Sequence, residues 1–281
     1  MSKGSLKIWE KICSQVIDQS DIRLPSMWVK RHVKQVQGVE VCGGVLVSGR
    51  NRMLAEEVVS MIEAAREQVV LVSFLFADRE IEDALLRAFR RGVRVYVLIA
   101  SEARLGKEEP EGEFEKRVLE EHMSMLDRLA GYVLFRSAPH FHAKAIVTDP
   151  ENDPKGLLLT CNLTKDALER NEEMALRLTP SEVLLVTTYL KWAMWESAEH
   201  ELLEPGRFRS VKALGNVVHP GDSGVVISTT SESNTIRDVM LLQIDQASSE
   251  IIICSFGWEV KHEVVRRLCS KAEQCVSVTV L

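Results

Sequence analysis

The stretch HFHAKAIVTDP, residues 140–150, sets two imidazoles, an ammonium and a carboxylate close together. Imidazoles move protons or attack electrophiles and an ammonium holds anions, so such a set can serve chemistry on an anionic group. On a strand, alternation puts His140, His142, Lys144 and Thr148 on one face and Phe141, Ala143, Ala145 and Val147 on the other. A purely structural strand rarely aims those polar groups one way, because a lysine buried without a partner is costly. An edge strand with a solvated polar face is the bland alternative. The next stretch, LLLTCNLTKDALERNEEMAL, adds Thr160, Asn162, Asn171 and Glu173 at strand ends and in the loop between them.

Taken together these residues resemble the phospholipase D superfamily. HAKAIVTD matches its H-x-K-x4-D signature at His142, Lys144 and Asp149, and TCNLTKDALERNEE is similar to the G-S-x-N and N-x-E that follow it. Asn162, Asn171 and Glu173 fall on the family positions, Thr160 stands where serine is usual, and Leu159 replaces the family glycine. The spacing selects His142 and leaves His140 as a neighbour that either lines the pocket or faces solvent. The resemblance implies metal-independent phosphodiester chemistry with no cofactor. His142 would attack phosphorus, while Lys144 and Asn162 bind the non-bridging oxygens. Glu173 would orient the imidazole, and a second imidazole would protonate the leaving group and activate water. Asp149 lies at the far end of the strand, roughly 20 Å away if the strand is straight, and is assigned a structural role. The family pairs two such motifs, in one chain or across a homodimer.

The elements that must position these groups alternate. GVLVSG, VVLVSFLF, VRVYVLIA, GLLLTCNL and EEMALRLT read as strands, with HFHAKAIVTDP among them. AEEVVSMIEAAREQ, EIEDALLRAFRRG and FEKRVLEEHMSMLDRLAG read as helices, the last two stopped by Gly92 and Gly131. SEVLLVTTYLKWAMWESAEH reads as a long helix with Ser181 as N-cap, Trp192 and Trp195 packing on the sheet. His122, on a charged helix, is expected to face solvent. Apolar strands between helices imply a sheet covered on both faces.

Further along, GVVISTTSESNTIRDVMLLQIDQASSEIIICSFGW repeats the grammar of GVLVSGRNRMLAEEVVSMIEAAREQVVLVSFLF, with VLVSF answered by IICSF. The expected architecture is therefore α/β: a phospholipase D-like mixed sheet flanked by helices, duplicated, with the second repeat incomplete. Residues 1–38 form a helical arm, 39–212 the phospholipase D-like domain, and 213–281 the start of a second repeat. The counterpart of the H-x-K strand is expected beyond residue 281, in a longer protein that supplies the second histidine, with dimer pairing as the other source.

Composition is that of a soluble globular chain: 281 residues, 46% hydrophobic, 27% charged, net charge −6. That balance excludes a general nucleic-acid-coating protein, though Arg90, Arg91 and Arg94, or Lys30, Arg31 and Lys34, could build a local basic cleft. No apolar run reaches the roughly 18 residues needed to cross a bilayer, and the start lacks a secretory pattern, so a cytoplasmic location is expected. The six cysteines form no CxxC pair and are read as reduced core residues. CGGVLVSG lacks the lysine of a phosphate-binding loop. The expected function is a nuclease cleaving DNA or RNA, with nucleic acid as substrate and a homodimer or a larger defence or processing complex as partners. A soluble phospholipase, or a catalytically silent nucleic-acid- or protein-binding module, is the alternative.

Overall fold

The computed structural model describes residues 44–47, 52–100, 113–138, 141–221, 234–255 and 257–280. The arm expected over 1–38 and His140 lie outside these residues.

Alternation of apolar and helical stretches builds the expected βα framework. In chain order it runs β1 (Val45–Val47), α1 (Met53–Ala64), β2 (Gln68–Val72), β3 (Phe76–Ala77), α2 (Arg79–Arg90), β4 (Arg94–Ala100), α3 (Glu113–Leu129) and β5 (Leu134–Ala138). There follow β6 (Ala145–Thr148), β7 (Lys155–Leu159), β8 (Leu163–Thr164), α4 (Lys165–Arg170), β9 (Met174–Arg177) and α5 (Pro180–Trp192), which widens into a π-helical turn at Ala193–Ser197. A hairpin, β10 (His200–Glu204) and β11 (Arg207–Ser210), completes the sheet. The nine strands lie in the order β1-β9-β7-β6-β2-β4-β5-β10-β11. β2, β4 and β5 are parallel, whereas β6 runs antiparallel to β2, and β7 and β9 continue antiparallel beyond it.

Side-chain alternation divides the core between the two faces. Val69 and Leu71 of β2, Val95, Val97 and Ile99 of β4 and Ile146 of β6 pack with α1, α2, α3 and α4. Val70, Val72, Leu98, Ala145 and Val147 point the other way, onto Val183, Val186 and Leu190 of α5. Gly156 lets α5 close on β7, since a Cβ there would meet Val183 Cγ2 at 3.0 Å and Leu178 Cδ1 at 3.1 Å. Trp192 and Trp195 pack against this second cluster, and the Trp195 ring also faces the Arg136 guanidinium at 4.2 Å.

Several expectations are corrected. The strand read over 140–150 is confined to Ala145–Thr148, the stretch paired with Val69–Val72 of β2 and with Lys155–Leu158 of β7. β5 and the β10–β11 hairpin, not foreseen, widen the sheet: LFRSA is too short and too polar to register as a strand on its own, and pairing with β4 supplies the rest. α5 is capped by Thr179, not Ser181, through a reciprocal pair in which Thr179 Oγ1 receives Glu182 N–H and Glu182 receives Thr179 N–H. His122 is fully buried, its Nδ1 against the Phe76 backbone, because it shares the inward face of α3 with Val118, Met125 and Leu129. Of the described cysteines Cys161 is buried but Cys254, Cys269 and Cys275 are exposed. Arg91, read as part of a basic cluster, is tied to Glu63 and the Ile62 carbonyl.

Beyond the sheet, α6 (Thr235–Gln246), β12 (Glu250–Ile253), α7 (Glu263–Glu273) and β13 (Ser277–Val280) form an α–β–α–β unit with β12 and β13 parallel. Its own small cluster centres on Ile244, Val264 and Leu268. The backbone bonds of the α1–β2–α2–β4 stretch recur in it. Ala65 N–H reaches the Met61 and Ile62 carbonyls, as Ala247 N–H reaches those of Gln243 and Ile244. Val93 N–H bonds the Ala88 carbonyl and Arg94 N–H that of Glu67, as Val276 N–H bonds Lys271 and Ser277 N–H bonds Ser249.

Asp149, at the exit of β6, anchors the entry of β2. Its carboxylate accepts the backbone N–H groups of Arg66, Glu67 and Gln68 at 2.8, 2.9 and 2.8 Å. Burial would raise its pKa, but the three donors outweigh it and hold the carboxyl below the ordinary range. Asp149→Ala is expected to cost about 2–4 kcal/mol in a denaturant titration, since three donors lose a charged acceptor. The native carboxylate stabilises the fold above its unfolded pKa of about 3.9, and that contribution disappears as pH falls through the lower folded value. An Asp149→Asn variant is therefore expected to show a flatter stability profile below about pH 4.

Candidate active site

Strand direction decides where the polar residues meet. The C-terminal end of β2, the N-terminal end of β6, the C-terminal end of β7 and the N-terminal end of β9 all lie at one edge of the sheet. His142 and Lys144 precede β6, Thr160 to Asn162 follow β7, and Glu173 precedes β9. Residues more than thirty positions apart in the chain thereby share one edge, the end of a parallel sheet where ligands commonly bind.

Lys144 is buried, while His142 is exposed. Lys144 Nζ lies 2.8 Å from His142 Nδ1, 3.5 Å from its Nε2 and 2.9 Å from its carbonyl oxygen. Burial lowers the lysine pKa to about 8, partly opposed by the nearby Glu173 charge. An ammonium that donates to Nδ1 requires that nitrogen to carry no proton, which places the ring hydrogen on Nε2. The Phe74 ring rests against the imidazole, centroids 4.7 Å apart and tilted by 46°.

Thr160 and Glu173 are joined. Thr160 Oγ1 donates to Glu173 Oε2 at 2.5 Å and accepts Met174 N–H at 2.9 Å, while Thr160 N–H bonds the Met174 carbonyl. Asn171 Nδ2 reaches Glu173 Oε1 at 3.4 Å. The carboxylate is thus held on two sides, within electrostatic range of Lys144. Asn162 Oδ1 is buried and has no hydrogen-bond partner among the described residues. A half-turn of the amide lets the same position offer N–H to an incoming acceptor. Cys161, beside it, is driven up to about 12 by burial, with Glu173 adding to the shift, and carries no thiolate at neutral pH. Asp149 sits at the opposite end of β6. His142, Lys144, Thr160, Asn162, Asn171 and Glu173 therefore gather at one edge and Asp149 does not. Ser73 and Phe74, at the end of β2, belong to this edge and were not read as site residues. Their signal was the SF pair closing an apolar run, which recurs as Ser255 and Phe256.

Comparison with known proteins bears on this edge. Residues 58–194 match the family model described as cardiolipin synthase, phospholipase D-like domain. No curated protein sequence matches the chain. Among solved structures, the phospholipase D family member Nuc from Salmonella typhimurium is 19% identical and covers 60% of this chain and 98% of its own, with a TM-score of 0.43. NucT from Helicobacter pylori is 21% identical and covers 55% of this chain and 95% of its own, with a TM-score of 0.41. A polyphosphate kinase from Porphyromonas gingivalis is 13% identical over 84% of this chain and 37% of its own, with a TM-score of 0.52, a likeness of fold. The family match runs from α1 to the end of α5 and so takes in every strand end that carries the polar cluster. Residues 58–194 of this chain thus form a phospholipase D-like domain.

Proposed function

We propose that the protein is a metal-independent phosphodiesterase that works through a phosphohistidine at His142. The observation that carries the reading is the buried Lys144 ammonium set against a ring nitrogen of an exposed histidine. One phosphate group can meet both: a non-bridging oxygen takes the ammonium while the imidazole attacks phosphorus. The P–N bond forms as the bond to the leaving oxygen breaks, and that oxygen takes a proton from a second imidazole. Water then attacks phosphorus, gives its proton to the same imidazole, and the P–N bond breaks to free His142. Asn162 offers a second donor to the oxygens, and Glu173 steadies Lys144 and the ring.

In the state described, Lys144 occupies Nδ1 of the nucleophile. Substrate oxygens are stronger acceptors than an imidazole, so a bound phosphate draws the ammonium off the ring and frees His142 to exchange its proton. The second imidazole comes from another half-site. The recurrence of the β2–α2–β4 bonds around β12 and β13 supports reading residues 213–281 as the start of a second repeat, with residues 39–212 as the first and 1–38 as an arm. A second copy of the chain is the other source.

For substrate, nucleic acid is the first reading, supported by the soluble-type composition and by the exposed polar side chains of Thr160 and Asn171 gathered on Glu173. A phospholipid is the second, favoured by a particular surface. Val45, Leu158, Met174 and Leu176 are 63%, 39%, 52% and 44% exposed and line a shallow depression that also touches Thr160. Acyl chains lying there would leave a headgroup phosphate near Glu173. No helix among the described residues is long and apolar enough to cross a membrane.

The first test uses bis(p-nitrophenyl) phosphate in excess EDTA, because p-nitrophenolate departs without a protonating acid and the first step shows even where the second imidazole is lacking. Wild-type protein is expected to give a burst of p-nitrophenolate and a phosphoryl adduct at His142 by mass spectrometry; His142→Ala gives neither. An adduct-free, burst-free wild type sinks the reading. The burst efficiency is expected to fall as pH rises through about 8, where Lys144 loses its charge. Lys144→Met is expected to abolish the burst while raising the melting temperature by roughly 2–6 °C, since an apolar chain replaces an ammonium paid for by desolvation. Adding charge to the strip with Leu158→Asp separates the substrates: hydrolysis of phospholipid vesicles is expected to drop at least about tenfold if lipid is the substrate, whereas nucleic-acid cleavage stays unchanged if it is not.

A further inference from the structure

We infer that Ser73 is a positioning residue for this site, holding the Asn162 loop in place through its hydroxyl; the inference rests on the phosphodiesterase reading above. Ser73 is fully buried at the end of β2. Its N–H donates to the Leu98 carbonyl of β4 at 3.2 Å, which fixes its backbone to the parallel core. Its hydroxyl donates to the Leu75 carbonyl at 2.5 Å and accepts the Leu163 N–H at 3.1 Å. Leu163 is itself buried and follows Asn162 directly. The one hydroxyl therefore sets where the peptide carrying Asn162 lies relative to β2. The register pairs Val72 with Ala145, so the next step along β2 brings Ser73 level with Lys144. Phe74, the following residue, lies against the His142 ring. Ser73 and Phe74 thus touch the Asn162 loop and His142 from a single strand end.

The second α–β–α–β unit separates the two things the hydroxyl does. Ser255, at the end of β12, makes the same bond two residues ahead, to the Gly257 carbonyl at 3.0 Å. That turn bond belongs to the strand–helix junction wherever it occurs. What the first junction adds is the acceptor role toward Leu163, and this is the part tied to the site. A serine does both because its hydroxyl donates once and keeps lone pairs to accept. Alanine would leave the buried Leu163 N–H without its partner and free the loop to shift.

The test compares Ser73→Ala, Asn162→Ala and the double variant in the full chain with bis(p-nitrophenyl) phosphate, well below every melting temperature. Ser73→Ala is expected to slow the burst about 10–100-fold with little change in the concentration giving half the maximal burst rate, the mark of a misplaced transition-state contact. Because Ser73 acts through Asn162, the double variant is expected to be no slower than Asn162→Ala alone. Hydrogen exchange at the Leu163 amide is expected to speed up in Ser73→Ala. An unchanged burst in Ser73→Ala, or losses that multiply in the double variant, overturns the positioning role. A wild type with no burst counts against the phosphodiesterase reading itself, and the Leu163 amide then decides alone: exchange no faster in Ser73→Ala overturns the inference.

Discussion

An ammonium withdrawn from water has to be held by something, and at Lys144 it is held by a histidine. The His142 carbonyl and ring nitrogen supply two acceptors, and Glu173 supplies charge at longer range. Those contacts do not replace the lost hydration fully, and the lysine pKa drops to about 8. The group is therefore poised for a better acceptor. On the phosphodiesterase reading proposed above, a phosphate oxygen is that acceptor, and the geometry that holds the lysine would also bring such an oxygen to the imidazole. On that reading, the local cost of burying Lys144 and the affinity of the site for an anion would share a single cause.

The rest of the molecule serves to keep that arrangement at one edge of the sheet. Parallel β2 and β4 point their C-terminal ends there, and the antiparallel return of β6, β7 and β9 brings the H-x-K residues, the Thr160–Asn162 loop and Glu173 to the same place. Fixing the register requires anchors at both ends of β6. At the far end Asp149 takes three backbone N–H groups from the entry of β2. At the near end Ser73 ties β2 to the loop after β7. A slip of one residue would turn the lysine to the face covered by α5, so these two anchors and the apolar alternation of β2 act together.

The α–β–α–β unit after the sheet shows how much of this is generic. Its helix ends, its parallel pair and its serine turn copy those of α1–β2–α2–β4. Much of its apolar surface, including Leu242, Ile252 and Val260, is exposed. The junction is a reusable piece of backbone chemistry; the site arises only where a second, antiparallel set of strands is laid beside it.

Much of this was legible in the sequence, because periodicity and motif spacing are local. Alternating apolar runs marked β2, β4 and β7, and glycines at φ 86° and 81° marked the ends of α2 and α3. The spacing of His142, Lys144, Asn162 and Glu173 named the polar set. Properties that depend on partners far along the chain were not legible. His122 looked solvated beside its charged neighbours, yet the packing of α3 on β3 buries it. The strand expected from residue 140 starts at Ala145, where its pairing with Val72 of β2 and Leu158 of β7 begins. β5 exists because β4 offers it an edge. Ser73 could be read as the end of an apolar run, but its second hydrogen bond goes to a residue ninety positions away. The sequence by itself determined which side chains are available and how each element alternates. Only the tertiary structure decided which strand ends meet, since that follows from pairing direction and burial summed over the whole sheet.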